Sequence, residues 1–223
     1  MIPVTDLRNC EQCGTPFVPR RQHARFCSAR CRASWNREHK KSDPAIDASA
    51  LAWSMTAMRD ATGRLPRVRA GDPARAFAAI AEAVWWVTIV DATLVRHHLE
   101  AYDRVLASQP TAERRQIEGM LAGLRFVRNG MGLGFDHADF IRPEPRRPGS
   151  DRITAWTWKP VLESALASLP PRGRAWEIAR YRAYQAQLAG RVIADTFERA
   201  SEFLSLAAAS ADLKHEHQRA AAR

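Results

Sequence analysis

The sequence predicts a mainly α-helical fold: a helical bundle preceded by a small N-terminal knuckle of four cysteines, built from a short β-arm and a helix. Three observations carry this expectation. All four cysteines of the 223-residue chain lie between positions 10 and 31. Beyond residue 72, apolar residues recur at three- and four-residue steps, which places them on one face of a helix. The runs are punctuated by helix start and stop signals, Asp72–Pro73, Pro110–Thr111 and Gly190. Composition agrees, because 46% hydrophobic and 26% charged residues are ordinary for a chain that buries a core and argue against wholesale disorder.

Residues 1–41 are expected to form the basic knuckle. The cysteines Cys10, Cys13, Cys27 and Cys31 follow the spacing C-x2-C-x13-C-x3-C. Each short-spaced pair can grip two corners of a tetrahedron from one tight turn, as Zn(II) requires. Four cysteines close the coordination shell and leave no open position, so the expected cofactor is one structural zinc ion. Gly14 directly follows the second ligand and can supply the positive φ such a turn needs. Pro16 and Pro19 limit regular structure in the arm. Ser28 is placed to cap a helix with Cys31 in its first turn, where the helix dipole favours a thiolate. Two disulfides are the alternative. Met1 leads into Pro3, Asp6 and Arg8 without an apolar leader, so a cytoplasmic location is expected, where paired cysteines more often bind metal.

The pattern CxxCG…F…RFCSxRCR resembles the treble-clef zinc knuckles, including the FCS-type fingers and the small bacterial zinc proteins that inhibit DNA gyrase. The resemblance covers about residues 8–40. It implies that Cys10, Cys13, Cys27 and Cys31 are the ligands and that Phe17 and Phe26 brace the β-arm. Such modules bind DNA, RNA or proteins.

Charge points to the class of partner. The net charge is +10, and residues 1–41 hold nine Lys/Arg against Asp6, Glu11 and Glu38, a local net of +6. Arg20, Arg21 and Arg25 fall between the cysteine pairs, while Arg30, Arg32, Arg37, Lys40 and Lys41 fall on or after the short helix. A unit this small cannot bury them, so an exposed cationic surface suited to phosphates is expected. Trp35 lies among these charges and either stacks on a base or plugs the knuckle; both remain open. The expected partner is nucleic acid, DNA or RNA, in a regulatory or defence setting. An acidic protein surface, docked by an adaptor, is the alternative.

Residues 42–71 are expected to hold a linker and a first helix, over 47–61, ended by Gly63 and Pro66. Residues 72–212 form the all-α body. Asp72 and Pro73 open a helical run to about residue 108, with a break expected near Asp91. Its apolar stretch, 76–95, is interrupted by Glu82 and Asp91, whereas a membrane span needs about 20 mostly apolar residues. It therefore reads as a buried helix, with no membrane partner. A helix from Thr111 is expected to end near Arg128. Residues 132–160 read as loop, with 153–159 as a short extended segment. Helices over 174–189 and 192–210 follow, and 213–223 reads as a fraying polar tail. The clustered tryptophans Trp85, Trp86, Trp156, Trp158 and Trp176 are assigned to packing.

One segment of the body suggests chemistry, LRFVRNGMGLGFDH at 124–137. The simpler expectation is that Arg128 meets the last carbonyls of its helix and Asn129 or Gly130 caps it. The Arg-Asn pair also resembles the R-N-x-x-x-H signature of HEPN domains, many of which are metal-independent ribonucleases acting as homodimers. That resemblance implies a catalytic Arg128 and Asn129, with a histidine moving protons and the arginine stabilising phosphorane charge. The histidine is expected at 133–135, where this chain has Leu133, Gly134 and Phe135; His137 is the nearest imidazole. The balance leans away from an enzyme, with a HEPN-like ribonuclease as the alternative.

Overall fold

A computed structural model describes residues 7–19, 24–32, 35, 44–68, 72–132, 137–143, 155–168 and 174–221. The chain divides into two compact units, Met1–Ile46 and Asp47–Arg223.

In the first unit, β1 (Arg8–Asn9) pairs antiparallel with β2 (Pro16–Phe17), Arg8 opposite Phe17. The turn between them closes through Gly14 N–H donating to the Cys10 carbonyl at 2.8 Å, with Gly14 at φ 71°. That left-handed conformation is open to glycine at little cost. A helix, α1, runs over residues 29–32, and residue 35 is also helical. Its cap is the expected one: Ser28 Oγ accepts from the Cys31 N–H at 3.1 Å.

The second unit is mainly helical. α2 (Pro44–Arg64) passes through Gly63 and hands over to a 3-10 helix at Leu65–Arg67. It begins earlier than expected, with Pro44 as its first residue, and it ends later, because Pro66 sits at the start of the 3-10 turn, where a missing N–H costs nothing. α3 (Pro73–His97) opens as expected, with Asp72 Oδ1 accepting from Arg75 N–H at 3.0 Å. The break expected near Asp91 falls instead at His98, before α4 (Leu99–Ser108). α5 (Thr111–Gly132) continues past Arg128, so Arg128 and Asn129 lie within the helix rather than at its end. The stretch expected to be loop contains α6 (His137–Phe140) and an antiparallel pair, β3 (Ile141–Pro143) with β4 (Trp156–Trp158). A 3-10 helix at Glu163–Ser168 leads towards α7 (Arg174–Gln187). Gly190, at φ 79°, follows α7 as the predicted stop signal, and α8 (Ile193–Ala221) runs on through most of the stretch expected to fray.

Asp91 explains why α3 does not break where a carboxylate interrupts its apolar face. The side chain is fully buried, accepts from Arg125 Nε at 2.8 Å and from the Tyr102 hydroxyl at 3.1 Å, and also meets the Arg125 Nη2. A buried charge persists only when paired in this way. Burial pushes the Asp91 carboxyl up, with Arg125 and Tyr102 pulling the other way. Burial also raises the Tyr102 phenol, and the adjacent Asp91 adds to it. By length and composition α3 could cross a membrane. In this unit Ile80, Val84, Val87 and Leu94 of α3 are buried in the protein core.

The strand pair is tied to the bundle by backbone and side chain together. Trp158 N–H donates to the Arg191 carbonyl at 2.9 Å, and Gly190 N–H donates to the Trp158 carbonyl at 2.7 Å. The fully buried Trp158 indole donates to Thr196 Oγ1 at 3.0 Å and packs edge-on against Tyr184 at 6.2 Å. Phe126, Phe140 and Tyr181 extend this cluster, each aromatic pair adding about 0.5–1.5 kcal/mol beyond the area it buries. Trp156 is buried as expected and Trp86 packs against the core, whereas Trp85 and Trp176 depart from the packing expectation at 50% and 74% exposed.

Close approach of α5 and α7 depends on Gly123. A Cβ there would lie 2.8 Å from Leu188 Cδ1 and 3.1 Å from the Tyr184 Cα. Gly123→Ala is therefore expected to destabilise the body, since overpacking costs about 1–3 kcal/mol and exceeds the roughly 1 kcal/mol gained in helix propensity. At Gly119 the Cβ would meet only the flexible Gln187 side chain, Cγ at 2.8 Å. Thermal melts should show a lower Tm for Gly123→Ala and a much smaller change for Gly119→Ala.

Candidate metal centre

The four cysteine sulfurs converge. One ligand atom from each of Cys10, Cys13, Cys27 and Cys31 lies within 4.8 Å of every other, the one group of this kind among the described residues. Cys27 Sγ is the link between the pairs, 3.6 Å from Cys13 Sγ and 3.5 Å from Cys31 Sγ. A disulfide would bring two sulfurs to about 2.0 Å, so all four are free thiols. Four thiolates about 2.3 Å from a tetrahedral zinc would stand roughly 3.8 Å apart, and the observed separations fit that ion. The two ligand turns arise as the sequence suggests: the Gly14 turn presents Cys10 and Cys13, and the Ser28-capped first turn of α1 presents Cys31.

The electrostatics of the cluster suit a cation. Burial pushes the Cys10 thiol up, but backbone N–H groups of Cys27, Cys13 and Gln12 outweigh it and bring it down to about 6. The Thr15 hydroxyl, then its backbone N–H, lower Cys13. Cys27 is pushed up to about 12, first by its hydrogen bonds to Cys31 and Cys13 and then by burial. Crowded thiols resist full ionisation unless a cation shares the charge, and a bound metal ion supplies that charge and cross-links the two turns.

Of the basic residues, Arg30 and Arg32 are exposed on α1, flanking Cys31. Arg25 is engaged within the unit. Its Nε and Nη2 grip the Glu11 carboxylate at 2.6 and 2.5 Å, and its guanidinium lies 4.7 Å from the Trp35 ring centroid. The Glu11 contact raises the Arg25 pKa. Trp35 in turn packs on Phe26, with centroids 5.6 Å apart. Arg20, Arg21, Arg37, Lys40 and Lys41 lie outside the described residues. The Glu11–Arg25 clamp, between opposite charges fourteen positions apart, was not visible in the sequence.

Of the candidate residues of the body, Arg128 and Asn129 engage different neighbours. The Arg128 guanidinium stacks over Trp85 of α3, 4.5 Å from the ring centroid, whereas Asn129 Nδ2 donates to Glu177 Oε1 of α7 at 2.7 Å. Arg180 Nη1 meets the same Glu177 oxygen at 2.5 Å. His137 opens α6, and its side chain lies outside the described set.

No family model, curated protein or solved structure matches the chain. The geometry of the site is a four-cysteine cluster on short strands and a helix, fit to hold one metal ion.

Proposed function

We propose that this is a zinc-binding protein whose N-terminal unit, of the treble-clef kind, holds one structural Zn(II) and presents cationic side chains to nucleic acid. The observation that carries the proposal is the mutual approach of the four sulfurs to within 4.8 Å. It is supported by the local charge of +6 over residues 1–41 and by the exposure of Arg30 and Arg32 beside a ligand. Trp35 serves the unit as its plug, since it is packed on Phe26 beneath Arg25.

Anisotropy titrations of labelled DNA and RNA with the full chain at several salt concentrations test this. Each neutralised phosphate contributes about 0.7–0.9 to the slope of log affinity against log salt. Arg30→Ala/Arg32→Ala should weaken binding and flatten the slope by about 1.4–1.8, two such contacts. Binding that ignores these substitutions contradicts the proposal, and a co-purifying acidic protein with no salt-dependent nucleic-acid binding would favour the adaptor alternative. The ribonuclease alternative gains no support from Arg128 and Asn129, which are engaged with Trp85 and Glu177.

A further inference from the structure

The groove between α2 and α3 carries exposed cations that neither the metal centre nor the packing of the body uses, beside the uncovered part of Trp86, which otherwise packs on the core. Its volume is about 660 Å3, and its walls include Arg59, Arg64, Arg67 and Trp86. Arg64 is fixed in place, with Nε donating to the Asp60 carbonyl at 3.1 Å and the guanidinium meeting Glu82 at 2.7 Å. Arg59 and Arg67 are exposed, and neither meets an acidic partner among the described residues. With Glu82 engaged by Arg64, Asp60 is the other carboxylate of the groove lining, against three arginines.

Gly63 is the second observation. It lies on the groove wall inside α2, where glycine weakens a helix. The body has no evident need for it: its φ is not left-handed, and an added Cβ would meet nothing within 4 Å. What a bare backbone does provide, between arginines and an indole, is room for a bulky ligand to approach closely.

We infer that this groove is a second nucleic-acid contact, taking the backbone of a single strand along Arg59–Arg67 with an unpaired base against Trp86. Eight residues of helix span about 12 Å, on the order of three phosphates of a stacked strand. Arginines suit phosphate oxygens, and an aromatic face suits any base. An acidic peptide would satisfy the arginines, whereas a flat base would also cover the part of Trp86 that the core leaves open and use the room beside Gly63. The inference rests on nucleic acid being the ligand, not on the cysteine unit being where it binds.

The test is an anisotropy titration of the full, metal-loaded chain against a labelled single-stranded oligonucleotide at several salt concentrations. Arg59→Ala/Arg67→Ala should weaken binding several-fold more than Arg115→Ala/Arg182→Ala, which removes the same charge elsewhere, and should flatten the salt slope by about 1.4. Gly63→Ala should raise Tm yet weaken binding. A groove double variant that matches the control overturns the inference, whatever Arg30→Ala/Arg32→Ala does. Loss from the groove variant, with Arg30→Ala/Arg32→Ala silent, upholds the groove and overturns the cysteine unit as the binding site. No binding by the unsubstituted chain overturns both.

Discussion

Replacing Cys27 by serine is expected to abolish metal binding and unfold the N-terminal unit, while the helical body keeps its cooperative melt. Cys27 joins the two ligand pairs, with its sulfur 3.6 Å from that of Cys13 and 3.5 Å from that of Cys31. The unit has little else to hold it. Among its described residues Cys10 alone is buried, and the Phe26–Trp35 contact is the main apolar packing beside two short strands and a helix turn. Structural zinc in units of this size supplies about 10–16 kcal/mol of apparent binding free energy, which is folding free energy. The check is metal content per chain together with limited trypsin digestion. The unsubstituted chain should hold one zinc and resist cleavage at Arg25, Arg30 and Arg32; Cys27→Ser should hold none and be cut there. A Cys27→Ser chain as resistant as the original would show that the unit folds without its metal.

Arg125→Ala is expected to cost the body about 3–5 kcal/mol, because it leaves a buried charge without its counterion. Asp91 is fully buried, and the Tyr102 hydroxyl would be its one remaining partner among the contacts described above. The carboxyl is already held above its ordinary value by burial, and removing the guanidinium pushes it further in that direction. A carboxyl whose folded value is raised binds its proton more tightly when folded, so it destabilises increasingly as pH rises from its unfolded value through its folded one. Denaturant melts of Arg125→Ala should therefore show a larger loss at pH 8 than at pH 5. An equal loss at both pH values would mean that the defect is packing alone. Asp91→Leu/Arg125→Met, which removes both charges, should recover part of the stability.

These two sites differ in how far the sequence revealed them. The cysteine cluster was legible because its geometry is local: the Gly14 turn, the Ser28 cap and the short spacings within each pair are set by neighbours in the chain. The Asp72 cap and the Gly190 stop were legible for the same reason. The course of α3 was not, because Asp91 looks like an interruption until Arg125, 34 positions away, is placed beside it. The same holds for β3 and β4, which pair across some fifteen positions and are joined to the body where Gly190 and Arg191 bond the Trp158 backbone. Exposure of Trp85 and Trp176 was hidden because composition favours burying tryptophan, while only the packed helices show which faces remain outside.

The most direct test of the account is the affinity of the full chain for one labelled oligonucleotide before and after metal removal, with the melt of the helical body recorded alongside. The account predicts that stripping the metal weakens binding about tenfold or more, on the order of 1.4 kcal/mol, that the body melts as before, and that added zinc restores affinity. Unchanged affinity in chain shown to be metal-free would contradict it.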